Sequence, residues 1–109
     1  MDDCYSVVRA WYEQSLAGWR EVGLVASISM TSQEGLETTV VEFKAENVLA
    51  LVATWSSGTV ESIVLDVRVD NDPRVLTEEF KSHSELRSFL DRSSARLISL
   101  AQKRHGATR

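Results

Sequence analysis

The sequence predicts an α+β domain, an antiparallel β meander of four to five strands with an N-terminal and a C-terminal helix packed on the sheet. Three observations carry that expectation. Apolar residues recur every three to four positions at both ends of the chain, they recur every two between Leu24 and Val69, and turn residues rather than helical stretches separate the alternating runs.

The first helix is expected over 3–22. Tyr5, Val8, Tyr12, Leu16 and Trp19 are spaced by three and four, which sets them on one stripe of a helix with Trp11 at its margin. Asp2 or Asp3 is expected to cap the first turn, and Gly23 to take the left-handed position that ends the helix. Beyond Gly23 the period drops to two. Leu24, Ala26, Ile28 and Met30 alternate with Val25, Ser27 and Ser29 in a strand over about 24–30, and Thr31 to Gly35 forms a loop. The second strand, about 36–45, opposes Val41 and Phe43 to Val40, Glu42 and Lys44, and Glu46-Asn47 turns the chain. The third, 48–55, is apolar on both faces, with Leu49, Leu51, Ala53 and Trp55 opposed to Val48, Ala50 and Val52, so it belongs at the centre.

Ser56-Ser57-Gly58 makes a hairpin into a fourth strand, 59–69, whose Ile63, Leu65 and Val67 form its strongly apolar face. Asp70-Asn71-Asp72-Pro73 breaks that strand, and 75–81 is the optional fifth. Ser82 and Glu85 have capping-box spacing for a final helix over 83–103, with Leu86, Phe89, Leu90, Leu97, Leu100 and Ala101 on one stripe and a fraying tail beyond Lys103. The second sheet face, assigned on this pattern to Val40, Ala50, Val52, Val60 and Val64, is too apolar to stand in water. A helix, a second copy in a homodimer, or another partner must cover it.

With 109 residues, 43% of them hydrophobic, the chain suits one core and a single domain. Its start, Met1-Asp2-Asp3-Cys4, is acidic where a secretory leader is basic, and its longest apolar run, Val48 to Ala53, falls far short of the roughly 20 residues that span a bilayer. The single cysteine, Cys4, forms no internal disulfide and suits a reducing compartment; it is expected to be a small core residue rather than a reactive thiol. A cytoplasmic location follows as an expectation. The net charge of −4 is unevenly spread: Glu34 to Glu85 holds eleven acids against four bases, whereas Arg87 to Arg109 holds six bases against one acid. The acidic middle makes nucleic acid a poor partner, because phosphate binding rests on clustered Lys and Arg.

No motif for catalysis stands out. His83 and His105 lie far apart, so a metal centre is not expected, and Asp70-x-Asp72 is followed by Pro73 without the glycine of a calcium loop. Neither histidine is placed beside Cys4 or at a sharp strand-to-helix turn, and Ser57-Gly58 is a hairpin rather than a phosphate cradle. Glu78-Glu79 and Asp70/Asp72 are expected as solvated carboxylates. Neither an enzyme activity nor a cofactor is expected. The remaining feature is an acidic rim of Glu61, Asp66, Asp70, Asp72, Glu78 and Glu79 beside Trp55 at a strand end. Clustered like charge steers a basic protein partner, and Trp is enriched among residues that dominate interface energy, although its phase with Leu49 and Leu51 assigns Trp55 to the core first.

The strand Val48 to Trp55, the turn Trp55-Ser56-Ser57-Gly58, the strand ending Leu65-Asp66-Val67, and Glu79-Phe80 followed by Ser84-Glu85-Leu86 resemble the TriTu family of small bacterial immunity proteins. The likeness covers roughly Leu36 to Leu97 and the leading helix. It implies a non-enzymatic protein, encoded beside a polymorphic toxin of a contact-dependent or type VI-like system, that binds the cognate toxin domain and occludes its active site or substrate path. The matching residues are mainly structural, so the resemblance assigns no contact face.

Two other functions fit a chain of this kind. A secretion chaperone is also small and acidic, but its order places a helix among the strands, whereas Leu24 to Val69 has no helical period. A small-ligand binder or enzyme would use an aromatic pocket around Tyr12, Trp19 and Trp55.

Overall fold

The computed structural model describes residues 3–68 and 72–107 and has the expected α+β architecture. Helix α1 (Cys4–Glu21) leads into strands β1 (Val25–Gln33), β2 (Leu36–Lys44), β3 (Val48–Trp55), β4 (Thr59–Asp66) and β5 (Arg74–Glu79), and helix α2 (His83–Ala107) follows. The strands form one antiparallel sheet in chain order, so each pairs only with its neighbours in sequence and β3 is central.

The ends of the elements follow local chemistry. Gly23, at φ 84°, closes α1 in a Schellman arrangement, its N–H bonding to Arg20 O at 3.1 Å and the Leu24 N–H to Trp19 O at 2.9 Å. Asp3 stands at the N-cap of α1 but does not cap it: with φ at 67° its carboxylate turns to accept the Ser6 hydroxyl instead of a backbone N–H. Ser82 caps α2 as expected, its Oγ accepting the Glu85 N–H at 3.2 Å, while the Glu85 carboxylate reaches back to the Lys81 N–H at 2.6 Å, one residue before the N-cap. The helix then runs to Ala107, past the predicted end at 103.

The strand ends differ from the sequence pattern most at β1 and β4, while β5 closes at Glu79, two residues before its expected end. β1 extends through Thr31-Ser32-Gln33, because Glu34 and Gly35, at φ 53° and 82°, form a two-residue type I′ turn that pairs Gln33 with Leu36 and removes the expected loop. β4 stops at Asp66. Its Oδ1 accepts the Arg68 N–H at 3.1 Å, while the Val67 N–H turns to Asn47 O at 2.9 Å and the Val67 side chain faces solvent.

Both helices lie on one face of the sheet. α1 packs on β1, β2 and β3, α2 on β3 and β4, and the helices meet at Trp19 Nε1, which donates to Ser94 Oγ at 2.9 Å, and at Arg87, which donates to Gln14 Oε1 at 2.7 Å. Trp11, Trp19 and Phe43 pack edge to face, with ring centroids 4.8 to 6.2 Å apart. Trp11 is therefore fully buried rather than marginal, and the buried stripe of α1 is Cys4, Val8, Trp11 and Trp19, turned away from the half-buried Tyr5, Tyr12 and Leu16.

The phase of β3 and β4 is the reverse of the sequence expectation. Val41 and Phe43 of β2 stand beneath the helices together with Val48, Ala50 and Val52 of β3 and Val60 and Val64 of β4, through the registers Val41↔Val52, Phe43↔Ala50 and Ala50↔Val64. The face expected to need a helix, a second copy or a partner is thus the core, and the two helices are what covers it, apart from Val40. The reason is volume. The helices supply Trp11, Trp19, Leu86, Phe89, Leu90 and Leu97, all buried, and apart from Phe43, which meets Trp11 and Trp19 edge to face, such bulk packs against small strand residues, because a full row of large side chains there would overfill the layer.

Candidate partner-binding face

The reversal leaves the opposite face of the sheet uncovered among the described residues. In register across it stand Lys44, Leu49 and Leu65, then Glu42, Leu51, Ile63 and Val75, then Val40, Ala53, Glu61 and Thr77, then Thr38, Trp55, Thr59 and Glu79. Its centre is aliphatic and partly open: Leu49 is 45% exposed, Val75 56% and, on the edge strand β1, Val25 72%. Neighbouring side chains, with Pro73 at one end, enclose a groove of about 560 Å³ that includes Val25, Leu49, Leu51, Ile63 and Leu65. Contiguous apolar surface of this kind on a folded chain marks an interaction site.

Charge frames the groove unevenly. Among the described residues, Glu42, Glu61 and Glu79 share the face with a single base, Lys44, so it presents a net negative rim around an apolar centre. Glu61 is held across the β4–β5 ladder, accepting the Thr77 hydroxyl at 3.0 Å.

The predicted site residues separate into groups. Trp55, Glu61 and Glu79 come together at the end of the sheet that carries the β3–β4 hairpin, all on the open face, with Trp55 half-buried and paired to Thr59, which pairs in turn to Glu79. Asp66 and Asp72 lie toward the opposite end, and the five-residue separation of Glu61 from Asp66 corresponds to about 17 Å of strand. Asp70 falls outside the described residues. Glu78 points to the helix side, where both its oxygens accept from Arg92 of α2 at 3.1 and 3.2 Å. The guanidinium holds the Glu78 carboxyl below its ordinary range, and the same bonds raise Arg92. Glu78 is consequently a clasp between β5 and α2 rather than part of the open rim.

Sequence reasoning missed Leu49, Leu51, Ile63, Leu65, Val25, Val75 and Glu42 as face residues. A signal was present on two strands: Glu42 and Lys44 share the phase opposite Val41 and Phe43 on β2, and Glu61 shares the phase of Ile63 and Leu65 on β4, so these charges mark which side of β2 and β4 meets water. The aromatic pocket does not assemble. Tyr12 and Trp19 lie on the helix side, 5.9 Å apart, and Trp55 is across the sheet from them.

No helix is long and apolar enough to cross a membrane, and no group of three or more His, Cys, Asp or Glu could hold a metal, among the described residues. Cys4 is buried in the core. No family model, no curated protein and no solved structure matches the chain.

Proposed function

We propose that this chain is an immunity protein that binds a cognate bacterial toxin domain through the open face of its sheet and occludes the toxin's active site or substrate path. One observation carries the reading: the bulkiest aliphatic side chains of the central strands, Leu49, Leu51, Ile63 and Leu65, stand on the side that no described helix covers, inside a rim of Glu42, Glu61 and Glu79. Such a surface fits a folded partner with an apolar patch and a basic surround, the apolar centre prolonging the complex and the rim speeding encounter. A toxin that acts on nucleic acid or nucleotides presents such a basic cleft. The likeness of the Trp55 hairpin and its flanking strands to TriTu immunity proteins supports the same reading, which places the action in the cytoplasm of the producing cell during interbacterial competition.

Co-expression with the toxin domain encoded beside it, scored by growth and co-purification, tests the function. Leu51→Lys and Ile63→Lys change half-buried residues of the open face, so both variants should keep the native circular dichroism yet lose protection and the complex. Full protection by both folded variants would overturn the choice of face, and failure of the unaltered chain to bind the toxin domain would overturn the function.

A further inference from the structure

The two edges of the sheet are built differently. β5, six residues long, carries Arg74, Glu78 and Glu79, the charged side chains with which natural sheets discourage pairing at an edge. β1 has nine residues, Val-Ala-Ser-Ile-Ser-Met-Thr-Ser-Gln, with no charge and no proline, and it pairs with β2 at all nine positions without a bulge. A long, uncharged edge without a bulge is a template for another strand.

The hairpin geometry says which groups it offers. The residues that flank a two-residue turn exchange both hydrogen bonds, so Gln33, Thr31, Ser29, Ser27 and Val25 face β2, and Ala26, Ile28, Met30 and Ser32 turn their N–H and C=O groups outward. The Tyr12 hydroxyl fits this assignment, since it donates to Ala26 O at 3.2 Å from α1 and so occupies the outward side at that end. Among the described residues no strand meets Ile28, Met30 or Ser32 on that side.

Above this edge runs a strip that the rest of the domain covers only in part. At 3.6 residues per turn, Tyr5, Tyr12 and Leu16 fall within roughly 40° of one another on α1. The Tyr12 to Ala26 bond fixes that flank over the edge of β1, while Trp11 packs over Phe43 of β2 and Gln14 meets Arg87 of α2. All three strip residues are half-buried. Tyr12 and Leu16 pack on the margin of the core, and the part of the strip still open to solvent lies beside the open strand.

We infer that β1 is a homodimer edge: it pairs antiparallel with β1 of a second copy about a two-fold axis through Met30, joining two sheets into one and burying the Tyr5, Tyr12 and Leu16 strips against each other. That register sets Met30 opposite Met30, Ile28 opposite Ser32 and Ser29 opposite Thr31, so every outward backbone group of Ile28, Met30 and Ser32 finds a partner while Ala26 keeps its bond to Tyr12. An antiparallel pair is self-complementary about such an axis. A second copy also suits the electrostatics. Each chain carries −4, so most contacts between copies bring like charges together, whereas a strand without charge brings none. The axis stands normal to the sheet, so both open faces point the same way and the inference holds whether or not a toxin binds there.

Sedimentation analysis of the full chain, with hydrogen exchange, tests this. The unaltered protein should sediment as a dimer, with the Ile28, Met30 and Ser32 amides protected. Met30 is 42% exposed, so Met30→Lys and Met30→Glu should fold normally, and each alone should weaken the dimer about tenfold or more by setting like charges across the axis. Mixing the two variants should restore it as a heterodimer. A monomer at every concentration, rapid exchange of those three amides, or charge variants that remain dimeric would each overturn the proposal.

Discussion

Ser94 sits where the helices touch, and its small side chain carries more than its size suggests. Its Oγ accepts the hydrogen bond of the Trp19 indole, which is wholly buried. Ser94→Ala leaves that N–H without a partner, and the expected cost is about 2 kcal/mol, measurable by urea unfolding. Gly58 is constrained in another way. It holds φ at 107°, and a Cβ there would stand 3.2 Å from the Phe80 carbonyl oxygen, whose residue in turn donates its N–H to Gly58 O. Gly58→Ala should destabilise by roughly 1 to 3 kcal/mol in the same assay, since both the backbone region and the space resist a side chain.

At the scale of elements, spacing located both helices and the first four strands, because a change of period from four to two is a strong signal over 8 to 25 residues, whereas the six-residue β5 was legible only as an option. Ends were legible where a side chain or a glycine fixes them, as at Gly23 and Ser82, and were lost where a turn lacks its usual residues: Glu34 takes a positive φ without being Asn or Asp. The open face was misread for a different reason. β3 is apolar in both phases, so its own pattern is silent, and Leu looks more core-like than Val until the bulk of the facing helices is considered. The clasp between β5 and α2 was not legible at all, since it joins Glu78 to Arg92 only through the fold. Its pH dependence follows from the depressed carboxyl. The bond contributes above the unfolded-state range of glutamate and is lost as pH falls through the lower folded-state value. Glu78→Gln should therefore reduce the fall in melting temperature on acidification, the two proteins converging at low pH; identical profiles for both would show that the exposed pair contributes nothing.

For the whole molecule, the decisive property is that two adjacent residues of the central strand face different worlds. Val52 is wholly buried beneath the helices, while Leu51 is half-exposed and stands opposite Glu42. Val52→Lys should cost upward of about 4 kcal/mol or prevent folding, because a buried ammonium has no partner there, whereas Leu51→Lys should cost about 1 kcal/mol. Equal losses in thermal denaturation would mean that both faces are covered. The chain-order sheet has a consequence for kinetics as well. Every strand pairing closes only a short loop, but the Trp19 to Ser94 contact spans 75 residues, so the hairpins are inexpensive in chain entropy and the docking of one helix against the other is not. The transition state should hold the meander with the helix seam still unformed. Stopped-flow measurements should accordingly find that Gly58→Ala slows folding, while Ser94→Ala leaves the folding limb of the chevron almost unmoved and accelerates unfolding.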